Sequence, residues 1–364
     1  HYQMIWSEEK IMKRRSGRAR QVIICAAIFL SSVMAQEKVG TTAFQFLKVN
    51  PTARSAAMGD AISSFVDGAS AMFINPAGLT DIDKLDLSAS HFNYFFDVKT
   101  SAFSAAYNFP NFGTVGMMAQ FTDYGEMNVT SVDAMGYQNG DFNPGLTGET
   151  FNPGHQIIGL SYAASLTNKF AFGLTAKQIK ENADYSYNGS EMSASLIAFD
   201  TGLQYKTGYE SVKISMVLRH FGKDVSFIEY EDTLRIFHDS TYTDEIKTVT
   251  GKQYPLPQIL VMGISGYVFG PKDAILTSPN SKSSLLFAVD MLAPRDYDQQ
   301  FNFGLEYAYD ELLFVRSGYK LNYDTENWSL GFGLHFKGVQ VDYSFNNYDS
   351  YLGAINRFSL GMTL

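Results

Sequence analysis

The chain has 364 residues, of which 45% are apolar and 18% are charged. Soluble proteins carry roughly 25% charged residues, so this chain is poor in charge. Aromatic residues are frequent, with 29 Phe and 22 Tyr against 2 Trp. The composition excludes a disordered chain and is typical of a folded protein whose surface faces lipid.

The first 35 residues have the order of an export signal. A cluster of basic residues precedes the apolar run Val22 to Leu30, and small residues lead up to Ala35. We predict cleavage after Ala35 and interpret the residues before Met12 as an upstream extension. The apolar run is shorter than the ~20 residues that a spanning helix needs, and no later run exceeds it, so the sequence predicts no transmembrane helix.

Loss of this signal changes the chemistry of the remaining chain. Cys25 is the only cysteine and lies inside it, so the mature chain would have no disulfide, thiolate nucleophile or cysteine-based metal site. Removing residues 1–35 takes away six basic and two acidic residues, which leaves 22 basic and 35 acidic side chains and a net charge of −13. Such an acidic chain excludes nucleic acid as an expected partner.

From Leu85 to Leu364 the sequence alternates between large apolar and small or polar residues. In the segment Trp328 to Phe336, every second residue is Trp, Leu or Phe, and the residues between them are Ser, Gly and His. This period of two indicates strands with two unlike faces. The predicted strands lie near 85–95, 99–109, 113–123, 155–165, 170–181, 193–206, 212–220, 256–267, 284–292, 299–309, 312–321, 328–336, 339–345 and 355–364.

The lengths of the connections distinguish a membrane barrel from a soluble sandwich. Every second connection should be a short periplasmic turn, and the short ones fall at 110–112, 166–169, 310–311 and 337–338. The longest connections, Tyr124 to Gly154 and Phe221 to Pro255, fall between them, as expected of loops outside the cell. The connection from Phe269 to Ser283 departs from this order. We therefore predict an all-β fold, a transmembrane antiparallel β-barrel of about 14 strands.

Three parts follow from this interpretation. Residues 1–35 are the extension and signal, residues 36–84 are an N-terminal plug, and residues 85–364 are an outer-membrane barrel. The middle part is rich in Ala, Gly and Ser and is too small to be an independent domain. Small residues allow a backbone to lie close to the inner wall of a barrel.

The plug sequence contains Gly40 to Lys48, then Ala53 to Ala61, then the turn Asn75 to Leu79. It resembles the opening of the PorV/PorQ family of FadL-like outer-membrane barrels, some of which serve the type IX secretion system. The plug motif residues are Arg54, Gly59, Asn75, Pro76, Ala77 and Gly78. The resemblance implies an outer-membrane protein that captures the C-terminal domains of secreted cargo and delivers them to partners at the cell surface.

The chemistry of the plug and loop residues also suggests a role for each of them. Pro76 fixes its own φ and Gly78 permits unusual conformations, so Asn75 to Gly78 reads as a structural turn, with a ligand contact as the alternative. Arg54 is expected to pair with a carboxylate of the inner wall. Cargo would bind the long loops, where the candidate contacts are Phe227, Tyr230, Phe237 and Tyr242, although an ordinary solvated hairpin extension explains this composition equally well.

The sequence shows no catalytic motif. The histidines have no i, i+4 pair and no Gly-x-Ser-x-Gly segment occurs, so we expect no metal, no cofactor and no enzymatic activity. A lipase on a barrel wall would need a Ser–His pair at the lipid boundary, and spacing identifies none. The charges predicted to point inward are Asp86, Lys177, Asp200, Lys213, Arg219, Asp290, Glu306, Arg316, Lys320, Asp342 and Arg357.

From this resemblance we predict a function in type IX secretion, by non-covalent binding and shuttling of cargo proteins or machinery partners. Two alternatives are kept beside this first function. The second is a FadL-like channel that passes hydrophobic small molecules past the plug and through the wall, for which an apolar pocket beside the plug would be the discriminating feature. The third is a structural barrel without a secretion role.

Overall fold

The computed structural model describes residues 40–138, 140–187, 190–227, 229–238, 241–270, 273–277, 282–348 and 351–364. Side chains are described in those ranges except at 138, 183–187, 190–192, 229–238, 241–250 and 277. The dominant element is one large antiparallel sheet that closes on itself. Its fourteen wall strands are β1 Leu85–Asn93, β2 Lys99–Phe109, β3 Gly113–Asp123, β6 Gly154–Ser165, β7 Phe170–Tyr187, β8 Ser190–Lys206, β9 Lys213–Gly222, β12 Ile259–Gly270, β14 Ser283–Pro294, β15 Gln300–Tyr309, β16 Leu313–Leu321, β17 Trp328–Phe336, β18 Val339–Asn347 and β19 Ala354–Thr363.

Closure of the sheet is shown by two pairings. The first strand pairs with the last, with Asp86 opposite Thr363, and β9 pairs with β12 across the long loop between them. Because lipid offers no hydrogen-bond partner to a free strand edge, closure satisfies the backbone of every wall strand. The predicted transmembrane antiparallel barrel of about fourteen strands is confirmed, and the predicted bounds of β2, β3 and β17 match those observed.

The two ends of the barrel differ. Tight turns between β2 and β3, β6 and β7, and β17 and β18 define the turn end. The opposite end, called the loop end, carries two hairpins, β4 Met127–Gln138 with β5 Asp141–Phe151, and β10 Glu229–His238 with β11 Thr241–Thr250. These hairpins were not predicted as strands because their polar residues obscure the alternation. The short strand β13 Leu276–Thr277 pairs in parallel with β12.

The alternation in the sequence becomes a difference between the two faces of the wall. On β17 the rings of Phe332 and Phe336 point outward, with 59% and 56% of their surface exposed, while Gly331 and Gly333 face the lumen. Outward apolar residues recur on every neighbouring strand. An apolar exterior of this kind is what a lipid-facing barrel requires.

The segment before β1 lies inside the barrel and consists of short helical turns. Their bounds are η1 Gln45–Lys48, α1 Ala53–Ala57, η2 Ala69–Phe73 and η3 Pro76–Asp81, and a further turn, η4 Phe95–Asp97, joins β1 to β2. Most residues from Ala53 to Leu79 are buried. Among the described residues, no helix has the length and apolar character needed to cross a membrane.

The depth dependence of the outer face can be tested on β17. Phe332→Arg should reduce the free energy of unfolding by about 2–4 kcal/mol, because it places a charge near the middle of the apolar band. Phe336→Arg on the same face at the turn end is the control, with an expected cost of roughly 0–1 kcal/mol. The measurement is denaturant unfolding in lipid vesicles. Equal costs at the two positions would contradict the placement of the band.

Candidate functional site

The Asn75–Pro76 turn lies against wall positions that have no side chain. The Asn75 amide donates to the carbonyl of Ser63 at 2.8 Å and its oxygen accepts from the Ala77 N–H at 3.1 Å. A Cβ added at Gly202 would strike the Asn75 side chain, and one added at Gly173 would strike the backbone of Pro76. The turn therefore fixes the plug to the wall at van der Waals distance, a structural role.

Two further residues of the plug motif, Gly59 and Gly78, are also explained by close packing. Gly59 has a φ of +61°, and a Cβ there would lie 3.0 Å from the backbone nitrogen of Tyr319. Gly318 on β16 faces it, and a side chain at Gly318 would collide with the backbone of Gly59. A Cβ at Gly78 would strike the carbonyl oxygen of Val66 within the plug. These close approaches require glycine.

One sector of the lumen, along β15 to β19, holds the plug through charges. Arg54 lies 2.6 Å from Asp67 and 3.3 Å from Glu306 of the wall. Glu306 also contacts Arg316 at 2.6 Å, and Arg316 contacts Asp342 at 2.6 Å. Burial opposes ionisation of Arg54, but Asp67 and Glu306 raise its pKa above the ordinary value. The guanidinium stays charged and connects the plug to a buried network.

A second buried network lies beside the first. Lys320 contacts Asp60 of the plug at 2.6 Å and Glu326 at 2.8 Å. Although burial acts in the opposite direction, Lys320 lowers the pKa of Asp60. Asn346 donates to the carbonyl of Ala56 at 2.9 Å and Ser329 to that of Ala57 at 3.1 Å. We call β15 to β19 with these contacts the polar sector.

The opposite side of the lumen contains the main apolar cluster, beside buried polar residues such as Gln120, Thr122 and Ser161. Plug residues Phe44, Leu47, Met72 and Leu79 pack there against inward side chains of β2 to β8. We call this the apolar sector, whose wall residues are Ala106, Met118, Ile157, Ala163, Ile179, Ala194 and Ala198, with Val225 and Leu256 above them.

One charged cluster interrupts the apolar sector. Lys177 contacts Asp200 at 2.5 Å and the Nδ1 atom of His220 at 2.8 Å, and all three are buried. His220 has a φ of +61°, beside a break in the pairing of β8 with β9. The eleven charges predicted to point inward all lie on the inner face. The contact with His220 was not predicted, because it joins three strands.

Aromatic rings fill the apolar sector at the loop end. Phe46 stacks on His155 with ring centroids 3.6 Å apart, and Phe44 meets Phe227 edge-on at 5.5 Å. Phe227, predicted as a candidate loop contact for a partner, is half-buried and packs against the plug. Tyr230, Phe237 and Tyr242 fall in the strands of the β10–β11 hairpin, but their side chains lie outside the described residues.

The first plug residues are held at the loop end by one carboxylate. Asp296, between β14 and β15, accepts from Thr42 and Gln45 at 2.7 Å each and lies 2.7 Å from the Nζ of Lys48. These donors lower the pKa of Asp296 against the opposing effect of burial. Burial lowers the pKa of Lys48, and its contact with Asp296 offsets only part of this effect. We call Thr42 to Lys48 the latch segment.

The lumen also contains a cavity of about 780 Å³ at the turn end. Its lining is mostly polar and includes Asp67, Asp81, Glu306 and Asp310. The space beside the plug is therefore not the apolar pocket that would mark a hydrophobic channel. An apolar concavity of about 410 Å³ lies instead on the outer wall, along β1 to β3 and β19.

In the described part of the chain, no group of three or more His, Cys, Asp or Glu residues has a metal-binding arrangement.

A closed antiparallel membrane barrel with an N-terminal segment packed in its lumen is the fold that these features define. It is similar in structure to the Pseudomonas putida toluene transporter TodX, with a TM-score of 0.54 and 13% identity over 85% of this chain and 97% of that one. It is also similar to the Ralstonia pickettii toluene transporter TbuX, with a TM-score of 0.54 and 14% identity over 88% of this chain and 100% of that one. No protein-family model and no curated protein matches the sequence.

The hold of Asp296 on the latch segment can be tested by labelling. In a Phe46→Cys background, we expect a membrane-impermeant maleimide to react severalfold faster when Asp296→Asn is added, because the neutral amide holds Lys48 less strongly. Asp310→Asn at the turn end is the control and should leave the rate unchanged. Since the pKa of Asp296 is lowered, the stabilisation is present above the ordinary carboxyl value near 3.8 and is lost as the pH falls below it. Equal labelling in all variants at neutral pH would contradict this role.

Proposed function

We propose that the protein is an outer-membrane barrel that receives hydrophobic small molecules at its loop end. The observation that carries the proposal is the apolar sector, which extends from the rings of Phe44 and Phe46 down the inner faces of β2 to β8. The fold likeness to two toluene transporters supports it. In this proposal the chain reaches the outer membrane of a Gram-negative cell after cleavage behind Ala35.

The ligand would occupy space that plug side chains now fill. Phe44, Phe46 and Leu47 belong to the latch segment, which Asp296 holds by polar contacts. Movement of this segment would exchange aromatic rings for an apolar guest without exposing the wall to water, so the cost of opening stays small. The plug from Ala53 onward is fastened by both ion networks and by the glycine contacts, and it would remain in place.

Uptake of toluene tests this function. Cells that express the protein should accumulate radiolabelled toluene faster than cells with an empty vector, and Asp296→Asn should raise the initial rate severalfold by freeing the latch segment. Asp310→Asn serves as the matched carboxylate control with an unchanged rate. Uptake at the level of the empty vector in every strain would show that the apolar sector does not admit such a guest.

A second proposed function is the capture of secreted proteins, as the PorV/PorQ resemblance implies for type IX secretion. The observation in its favour is the β4–β5 hairpin, where Val132 and Tyr137 are 81% and 80% exposed. Exposed aromatic residues on a projecting hairpin are typical of protein contact sites. Partners would then be cargo C-terminal domains or secretion components, bound without covalent chemistry.

Crosslinking distinguishes this second function from the first. We expect Val132→Ala combined with Tyr137→Ala to lower the recovery of crosslinked cargo at least fivefold, because an exposed aromatic anchor is worth roughly 1 kcal/mol or more. Tyr209→Ala, at an exposed tyrosine of the turn end, is the control. Recovery that is equal in all three proteins would remove the hairpin as the capture site.

A further inference from the structure

A histidine and a serine meet on the outer face of the barrel. His91 on β1 stands directly opposite Ser101 on β2, and the His91 Nδ1 atom lies 2.9 Å from the Ser101 Oγ. His91 is exposed and Ser101 is partly exposed, whereas their neighbours Phe92 and Ala102 are buried in the lumen. The pair therefore faces lipid, and it was not predicted because the two residues lie on separate strands.

The pair sits where the apolar band of the wall ends. Phe358 on β19 is opposite His91, and Phe121 on β3 is opposite Ser101. One step further toward the loop end, the outward residues are polar: Asn93, Lys99, Asp123 and Asn356. This is the depth at which hydrocarbon gives way to headgroups. The acyl ester bonds of membrane lipids lie at this boundary.

An apolar groove begins at the next outward residues from the pair, Ala89 and Phe103, and runs toward the middle of the wall. It has a volume of about 410 Å³, and its floor contains Ala89, Ala105 and Ala119, with Phe103, Met117 and Leu360 at its sides. Ala89 and Phe103 each lie two residues from the pair on the same strand face, a separation of about 7 Å. The groove forms where three alanines stand in place of the large residues found on most of the outer wall. Its position in the hydrocarbon layer and its nearness to the pair fit one acyl chain of a lipid.

We propose that His91 and Ser101 form a hydrolytic site for the acyl ester of a membrane lipid whose chain lies in the groove. The shared chemistry is a carboxylic ester at the headgroup boundary, which both phospholipids and lipopolysaccharide supply. This activity goes beyond the proposed handling of hydrophobic molecules in the lumen, since it uses the opposite face of the wall.

The reaction needs only lipid and water. The Ser101 Oγ attacks the ester carbonyl carbon while the His91 Nδ1 takes the hydroxyl proton. Collapse of the tetrahedral intermediate breaks the ester C–O bond, and His91 returns the proton to the departing alcohol. Water then attacks acyl-Ser101 with His91 again as the base, which releases the fatty acid and restores the serine. The amides of β1 and β2 are engaged in the sheet, so oxyanion stabilisation is weak and turnover should be slow.

The test uses the full-length protein in vesicles of phosphatidylethanolamine and, separately, in vesicles that contain lipopolysaccharide. Free fatty acid is measured by mass spectrometry. We expect release from at least one lipid, and the two arms identify the source. Ser101→Ala and His91→Asn should each lower release by about a hundredfold, the usual scale for general acid–base catalysis. Ser317→Ala is the control, because Ser317 faces lipid on β16 opposite leucines.

A second variant separates the groove from the pair. Ala105→Phe should fill the groove and lower release from long-chain lipids at least tenfold, while a small fluorophosphonate should still label Ser101. Absence of fatty acid from both lipids would overturn the proposal, as would release that persists in Ser101→Ala. Neither result would bear on toluene uptake, so the failure of this inference and that of the proposed function are distinguishable.

Discussion

Backbone hydrogen bonding in lipid is the constraint on which this structure depends. No water is available where the wall crosses the hydrocarbon layer, so an open sheet edge would leave a row of unpaired N–H and C=O groups there. The pairing of β1 with β19 and of β9 with β12 removes both edges. Closure also gives the sheet an inner and an outer face. Because successive residues of each strand point to opposite faces, the same strand sequence determines both the lumen and the lipid-facing surface.

Closure leaves a lumen that the N-terminal segment partly occupies, and two kinds of interaction hold it there. Wall glycines let plug backbone approach as closely as it does at Gly173 and Gly318. Buried charges then fix the rotation of the plug, since Arg54 and Asp60 each find an opposite charge on the polar sector. Removing one member of such a buried pair leaves an uncompensated charge, which makes the network a strong determinant of position.

The division of the lumen into a polar and an apolar sector bears on the proposed binding of hydrophobic small molecules. The polar sector anchors the plug, while the apolar sector is closed at the loop end by the aromatic rings of Phe44 and Phe46. A hydrophobic guest and a fixed plug are therefore compatible, because they use opposite sides of the lumen. The outer wall adds a third environment, where His91 and Ser101 lie at the edge of the hydrocarbon layer.

The sequence by itself determined the number of wall strands and the face that each residue occupies, because a period of two is a local property of an extended backbone. It also marked Asn75, Pro76 and Gly78 as a rigid turn. Only the tertiary structure decided which strands are neighbours, and hence that Arg54 meets Glu306, that Phe227 turns inward, and that a histidine lies beside a serine on the lipid face. The physical reason is that register between strands depends on closure of the whole sheet, which no local pattern records.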